Sequence, residues 1–260
     1  MKRLPAISAL LALSLALVAC QGTSNQNTQP ATGSTSSYSS RTSVAAQSAF
    51  EAGFSAYDRG DFAGAAKHFR SAAEQAHTQA QAILGAMYMA GTGVLQDYAE
   101  AHRWFLPAAK KGNLVAESGL GHLYEYGKGV PQDFSEAARW YRLAADQGDA
   151  TAQTRLGNFY AIGMGVTQDY AEALHWLRAA AEQDHADAQL YLGALYSDGE
   201  GVTRDPVEAL MWMTLAAEQG GEFAAKMRAR NAQKLSADEV AEAERRAADW
   251  RRAYRARQRG

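Results

Sequence analysis

Carboxylate pairs recur in this chain at a spacing that suits general acid and base catalysis. In each pair an aspartate precedes a glutamate by three residues, as in Asp97-Tyr-Ala-Glu100, Asp133-Phe-Ser-Glu136, Asp169-Tyr-Ala-Glu172 and Asp205-Pro-Val-Glu208. Two neighbouring carboxyl groups can act as proton donor and proton acceptor. The same spacing is that of a helix capping box, in which the aspartate accepts from free amides of the first turn while the glutamate reaches back. Because the pair recurs in every unit of a repeat, we interpret it as capping and predict no catalytic residue.

The other residues with chemical potential also lack a catalytic or metal-binding arrangement. The six histidines form no i, i+4 pair and no His-Glu-x-x-His site, so we expect scattered surface groups: His68, His77, His102, His122, His175 and His185. The sequence contains no Gly-x-Ser-x-Gly and no Ser-x-x-Lys. Gly91-x-Gly93 lacks the third glycine of a dinucleotide loop and follows a helical pattern, which predicts a turn. The sequence therefore predicts a protein that is not an enzyme and has no cofactor and no metal.

The carboxylate pairs belong to a 36-residue unit that occurs four times without a gap. The same residue returns at fixed positions of each unit, for example Leu84, Leu120, Leu156 and Leu192, or Trp104, Trp140, Trp176 and Trp212. A period in this range is typical of solenoids, in which each unit buries its apolar face against its neighbours. We predict an all-α fold, a right-handed α-solenoid of stacked helix-turn-helix repeats.

Each unit has the start and stop signals of two helices. In the first unit, Leu84 and Tyr88 lie four residues apart, on one stripe of a first helix. Gly91 occupies the position where a left-handed residue ends such a helix. Asp97 then caps a second helix, whose Trp104 lies on an inward stripe between alanines.

These motifs resemble the Sel1-like repeat family, relatives of the tetratricopeptide repeats. The resemblance is carried by Leu-Gly-x-x-Tyr, Gly-x-Gly-Val-x-x-Asp, Ala-x-x-Trp and alanine pairs such as Ala144-Ala145, and it covers residues 80–223. Two residues depart from the pattern. Pro107 lies late in a second helix, which we expect it to kink or end, and Asp184 stands where the other units have glycine.

The repeats lie between an atypical first unit and a basic C-terminal helix. Ser236-Ala-Asp-Glu239 is a further capping box, which opens a helix of about twenty residues with Val240, Ala243, Ala247 and Trp250 on its inner face. The predicted segments are a signal peptide (1–19), a lipidated Cys20 with a disordered Ser/Thr-rich tether (20–43), a tetratricopeptide-like unit (44–79), Sel1-like repeats at 80–115, 116–151, 152–187 and 188–223, and the basic capping region (224–260).

The N-terminus predicts where the protein works. Lys2 and Arg3 precede an apolar run that is too short to span a membrane and ends in Leu17-Val-Ala-Cys20. This is similar to the cleavage site of bacterial lipoproteins, which implies a lipid such as palmitate on Cys20; the alternative is an ordinary signal peptide with an incidental cysteine. Gln21, in place of the aspartate that retains many lipoproteins in the inner membrane, implies an outer-membrane location facing the periplasm.

Charge is distributed unevenly along the chain. Residues 44–225 carry 12 basic and 23 acidic groups, whereas residues 226–260 carry 11 basic and 5 acidic groups. The basic end would suit an anionic lipid, an acidic polymer or an acidic protein through Arg245, Arg246, Arg251, Arg252 and Arg255; a solvated capping helix is the interpretation we favour. Nucleic acid is excluded as a partner, since the acidic body would repel it.

A stack of helical hairpins offers a curved surface for a partner. By analogy with tetratricopeptide repeats, the resemblance implies a groove lined by first-helix positions: Met89, His122, Glu125, Tyr126, Asn158, Ile162, Ser197 and Asp198. We therefore predict a non-enzymatic, membrane-anchored scaffold that binds an envelope protein or an extended peptide. The alternatives are a binding protein for peptidoglycan or an acidic polysaccharide and, more remotely, an envelope hydrolase.

Overall fold

The computed structural model describes residues 36–259, with side chains for residues 44–259. This part of the chain forms twelve α-helices and no β-strand. In chain order the helices are α1 (Ser36–Asp58), α2 (Phe62–Glu74), α3 (Thr78–Ala90), α4 (Tyr98–Ala109), α5 (Leu114–Tyr126), α6 (Phe134–Asp146), α7 (Ala150–Ile162), α8 (Tyr170–Ala181), α9 (Ala186–Asp198), α10 (Pro206–Glu218), α11 (Glu222–Ala232) and α12 (Ala237–Arg257). The first and second helices of a repeat pack as a hairpin, for example α3 with α4 and α9 with α10, which confirms the predicted all-α solenoid.

The helices follow the 36-residue period. The first helices of the four repeats are α3, α5, α7 and α9, and the second helices are α4, α6, α8 and α10. Each first helix begins two residues before the repeat origin taken from the sequence, because the residue that precedes it has an extended backbone and provides the N-cap. Within residues 36–259, no helix combines the length and the apolarity needed to cross a bilayer.

The chain divides between Leu143 and Ala144 into an N-terminal unit and a C-terminal unit. In the N-terminal unit the core consists of alanines, leucines and aromatic rings from α1–α6, with Phe69 and Phe105 among the largest fully buried side chains. In the C-terminal unit, Leu177 and Leu192 are fully buried, and the C-terminal helix adds Ala243 and Ala247 to the same core. The prediction that these two alanines face the last repeat is confirmed.

The first helices end as the glycine pattern predicts. Gly91, Gly127, Gly163 and Gly199 all have φ between 62° and 75°. A polar side chain five residues later completes each turn by donating to the carbonyl two residues before the glycine: Gln96 to Met89, Gln132 to Glu125, Gln168 to Ala161 and Arg204 to Ser197, at 2.8–3.0 Å. The sequence analysis did not identify this recurring bond, although its 36-residue recurrence was a visible signal.

The second helices are capped by aspartate, but the glutamate has another role. Asp97 Oδ1 accepts from the amides of Ala99 and Glu100 at 2.9 and 3.0 Å, as predicted. The carboxylate of Glu100 accepts from the indole of Trp104 at 3.1 Å, and Glu172 and Glu208 do the same for Trp176 and Trp212. The prediction that the glutamate accepts from the backbone amide of the N-cap aspartate is therefore wrong for these helices. Its carboxylate accepts instead from the indole of the tryptophan four residues later. Within the described residues, the reciprocal capping box occurs at Ser236 and Glu239.

The second glycine of the Gly-x-Gly loop lies against the preceding repeat at Gly93, Gly129 and Gly201. A Cβ at Gly129 would lie 2.4 Å from the carbonyl carbon of Tyr98, and one at Gly93 would lie 2.1 Å from the carbonyl oxygen of Phe62. In the C-terminal unit a Cβ at Gly201 would lie 2.3 Å from Tyr170 Cβ. Only glycine fits where the loop crosses the start of the previous second helix.

Three local predictions are corrected. α1 already begins at Ser36, so residues 36–43 are helical and do not belong to a disordered tether. Pro107 does not shorten α4, which ends at Ala109, the position equivalent to the end of the proline-free α8. The C-terminal region contains α11 in addition to the long capping helix α12.

Asp184 adopts the left-handed conformation of the glycines that it replaces. Its φ is 65°, and its carboxylate accepts from the amides of Gln189 and Gln219 at 2.9 and 3.1 Å. Aspartate tolerates this conformation better than most side chains. The departure from glycine thus adds hydrogen bonds and leaves the backbone path intact.

Candidate partner-binding surface

In the N-terminal unit, the groove residues predicted from the sequence differ in exposure. Tyr126, the last residue of α5, is 45% exposed. The ring of His122 lies one helical turn before it, with ring centroids 4.7 Å apart. Met89 is half-buried and packs against the core of this unit. Tyr126 and His122 therefore form the accessible part of this surface.

Glu125 does not lie on the open face. It is 8% exposed, and its carboxylate accepts a hydrogen bond of 2.6 Å from the buried hydroxyl of Tyr141. This position carries Met89 in the preceding repeat and Ser197 in the last one, so its surroundings were not evident from the repeat pattern. We therefore correct the expectation that Glu125 contacts a partner: it joins α5 to α6.

A lysine that the sequence analysis did not select belongs to the same surface. The ammonium of Lys128 lies 5.2 Å from the ring centroid of Tyr98 and 5.4 Å from that of Tyr126. A cation over an aromatic face is attracted to the negative side of the ring quadrupole. The surface therefore presents aromatic rings together with a positive charge in an otherwise acidic body.

In the C-terminal unit, the other predicted groove residues separate in a similar way. Ile162, at the end of α7, is 55% exposed, and Asp198, at the end of α9, is also exposed. Asn158 is half-buried. The hydroxyl of Ser197 donates to Asn231 Oδ1 of α11 at 3.0 Å, which ties Ser197 to the neighbouring helix. Exposure thus concentrates at the last residue of α5, α7 and α9.

Four of the six histidines are half-buried, contrary to the expectation of surface groups: His77, His102, His122 and His185. Burial lowers the pKa of His77, His102 and His185. The Nδ1 of His77 accepts from the amide of Ala80 at 3.2 Å, and its Nε2 lies 3.1 Å from the side-chain oxygen of Gln47. A neutral ring with hydrogen on Nε2 satisfies both contacts, so His77 is the N-cap of α3.

We expect the protein to lose stability as the pH falls from about 7 to 5, partly through His77. Its pKa is lower in the folded chain than the value of about 6.5 in the unfolded chain, so stability is complete above pH ~6.5 and declines below it. Protonation of Nδ1 also removes the cap, worth about 1 kcal/mol. Urea denaturation at the two pH values should show that His77→Asn, which copies Asn113 of the next repeat, reduces this loss.

The exposed His68 provides the control. His68→Asn should leave the pH dependence of the free energy of unfolding as it is in the wild-type protein. If both variants reduced the loss of stability between pH 7 and pH 5 equally, that loss could not be attributed to His77.

The basic C-terminal helix is largely neutralised by its own surroundings. Arg245 and Arg252 pair with Glu242 and Asp249 within α12. Arg246 and Arg251 reach Glu208 and Glu218 of α10. Hydrogen bonds from Arg246 and Arg245 lower the pKa of Glu242. Four of the five predicted tail arginines thus pair with carboxylates, and two of them fix the capping helix to α10.

The described residues 36–259 contain no group of three or more histidine, cysteine or acidic side chains that would bind a metal ion. Cys20 and the N-terminal apolar run lie outside them. The accessible features are the variable first-helix ends on a uniform helical frame. This combination defines a helical-repeat protein whose surface suits a macromolecular partner.

Comparison with protein families places the chain within this class. The model of the Sel1 repeat matches residues 46–77, 78–113, 114–149, 150–185 and 186–221, and the chain belongs to the Sel1 repeat family. The match includes residues 46–77, the segment for which the sequence predicted an ordinary tetratricopeptide-like unit. Sel1 repeat proteins generally mediate interactions between proteins, and their scaffolds are typically non-catalytic.

Solved structures show the same relationship. The crystal structure of a Sel1 repeat protein from Oxalobacter formigenes is 31% identical, with a TM-score of 0.67 and a match over 77% of this chain and 82% of that one. A protective antigen of uropathogenic Escherichia coli with the SLR fold is 32% identical, with a TM-score of 0.52 and a match over 82% of this chain and 54% of that one. A comparison with functionally curated proteins gave no match.

Proposed function

We propose that this Sel1 repeat protein is a lipid-anchored scaffold of the bacterial envelope, which binds a protein partner through the ends of its first helices. One observation carries the proposal: the last first-helix residue is Ala90, Tyr126, Ile162 or Asp198 in successive repeats, while the glycine that follows is constant. Large apolar side chains stay exposed at two of these positions. A constant frame with variable exposed side chains is how repeat proteins build selective binding surfaces.

A partner should contact Tyr126. Tyrosine is enriched at interface hot spots, so Tyr126→Ala is expected to weaken partner binding by roughly tenfold or more. A photo-crosslinking side chain at position 126, irradiated in living cells, should give one dominant protein adduct, and replacing His122 by alanine should reduce it. The partner protein identified from the adduct can then be purified, and its affinity for the wild-type chain compared with its affinity for the Tyr126→Ala variant.

Leu95 provides the matched control, because it is 91% exposed but lies in a loop of the same unit. A probe at Leu95 should give no such adduct, and Leu95→Ala should leave affinity unchanged. Adducts from a probe at Arg252, with none from position 126, would show that the partner binds α12 and not the first-helix ends.

Membrane attachment is proposed to depend on Cys20. Cys20→Ala should abolish labelling by radioactive palmitate and move the protein from the membrane fraction to the soluble fraction. Gln21→Asp should keep the label and shift the protein from the outer to the inner membrane fraction. A Cys20→Ala protein that still sediments with membranes would contradict the lipid anchor.

Binding to peptidoglycan or to an acidic polysaccharide has less support, since carboxylates of α10 and α12 already pair with most of the tail arginines. This alternative would be favoured if the protein sedimented with cell walls at low salt and did not sediment with them at high salt. An envelope hydrolase has the least support, because three of the four repeated glutamates accept a hydrogen bond from an indole and Glu136 pairs with Arg139.

A further inference from the structure

α11 occupies the place of a first helix in another repeat. It begins 36 residues after α9, and Ala188, which is buried in α9, corresponds to the buried Ala224 of α11. Leu195 corresponds in the same way to the buried Asn231. α11 packs on α10, as α3, α5 and α9 pack on the second helices before them.

The second helix of this last repeat is missing from its place. In the complete repeats of the C-terminal unit, α7 packs on α8 and α9 packs on α10. α12 instead packs on α10 and makes few contacts with α11. The positions of α11 that a second helix would cover are Ala225 and Arg228, which correspond to the buried Gln189 and Leu192 of α9.

A cleft of about 500 Å³ lies where that helix would pack. Its lining includes the small side chains of Thr214, Ala217 and Ala225. Small residues allow close approach of another backbone, and the volume is in the range of ligand clefts in proteins. The cleft is therefore an open position between α10, α11 and α12.

The walls of the cleft are charged. Arg228 pairs with Glu244 at 2.6 Å, and Arg251 pairs with Glu218. Arg255 lies one turn after Arg251 on the same face of α12, and no ion pair or hydrogen bond engages its side chain. The lining therefore holds two arginines and two glutamates, and Arg255, one helical turn beyond the lining, adds a positive charge that no carboxylate pairs with.

We propose that the cleft between α11 and α12 binds an acidic amphipathic helix of a partner protein. The apolar stripe of that helix would lie on Thr214, Ala217 and Ala225, and its carboxylates would pair with Arg251 and Arg255. The interaction follows the helix-in-groove mode of recognition. This surface is separate from the first-helix ends of the proposed function and does not depend on them.

The chain supplies its own probe for this site. A fluorescein-labelled peptide of residues 169–182 contains α8, a second helix with Trp176 and Leu177 on its inner stripe and more acidic than basic residues. We expect saturable binding of this peptide to the purified full chain in fluorescence anisotropy. The same peptide with Leu177→Asp should not bind.

Two protein variants and a matched control locate the binding. Ala225→Trp should weaken peptide binding by about tenfold or more. Arg255 lies on the surface, so Arg255→Glu leaves the packing intact and should weaken peptide binding by about threefold to tenfold. Ala253→Trp is the control, since Ala253 is exposed on the opposite side of α12. Circular dichroism should show equal helix content in all three variants.

Absence of peptide binding, or binding that neither Ala225→Trp nor Arg255→Glu weakens, would overturn the proposal. A dimer of the chain that Ala225→Trp dissociates would also overturn it, because the cleft would then serve a second copy. Tyr126→Ala should leave peptide binding unchanged. The cleft proposal and the proposal for the first-helix ends are therefore tested by separate measurements.

Discussion

Replacing Gly129 by alanine is expected to lower the free energy of unfolding by about 2–5 kcal/mol. The residue has φ of +72°, a conformation that costs an L-residue about 1–2 kcal/mol. The new Cβ would also lie 2.4 Å from the carbonyl carbon of Tyr98 and 2.6 Å from the amide nitrogen of Ala99. Both are backbone atoms, so relief requires movement of the loop or of α4, at a further cost of about 1–3 kcal/mol. Urea denaturation followed by circular dichroism measures the loss.

Gly112→Ala separates the backbone conformation from the close approach. Gly112 has φ of +77°, and a Cβ there would have no atom within 4 Å. Ala76 occupies the equivalent position one repeat earlier with φ of 61°. We expect Gly112→Ala to cost only about 1–2 kcal/mol. Equal losses in the two variants would show that the contact with Tyr98 contributes nothing.

Phe105→Ala is expected to cost about 3–5 kcal/mol, the usual range for removal of a buried ring. Phe105 is fully buried, and its ring lies between two first helices. A Cβ at Gly85 of α3 would lie 2.6 Å from the ring, and one at Gly119 of α5 would lie 2.7 Å from it. The ring fills the space that these glycines leave open, so its loss opens a cavity between three helices.

The same geometry predicts energetic coupling between Phe105 and Gly119. Gly119→Ala alone should destabilise by about 1–3 kcal/mol because the methyl group pushes against the ring. In the double variant the methyl group enters the vacated space, so the combined loss should fall short of the sum by about 1 kcal/mol or more. Gly121→Ala serves as the comparison, since its Cβ would meet Tyr141 instead and should combine additively with Phe105→Ala. Additivity in both combinations would contradict this packing.

The sequence predicts best the features that depend on neighbouring residues along the chain. Gly91 ends α3 because glycine reaches positive φ without cost, and Asp97 caps α4 because its side chain reaches the free amides two and three residues ahead. Both conditions recur every 36 residues. The helices and the stacked fold therefore followed from local chemistry repeated in register.

Features that depend on a contact between helices were harder to predict. Glu125 was expected at the surface, but the hydroxyl of Tyr141, sixteen residues later, holds its carboxylate in the interior. α12 was expected as a cap, but its departure from α11 was not, because its position depends on the packing of Ala243 and Ala247 in the core and on ion pairs with Glu208 and Glu218 of α10. The exposed ends of the first helices followed from analogy with related repeats; only the structure distinguished Tyr126 from its buried neighbour.

The crossing of Gly-x-Gly loops over the start of the previous second helix also limits how the chain can change in length. Gly93 meets Phe62 and Gly129 meets Tyr98, with the same separation of 31 residues in each case. An insertion or deletion of a few residues between these partners would bring a side chain to the point where only glycine fits. Duplication or loss of a whole 36-residue segment would leave every such crossing intact. Tandem duplication is therefore the route by which an array of this kind can grow and acquire new surface without rebuilding its core.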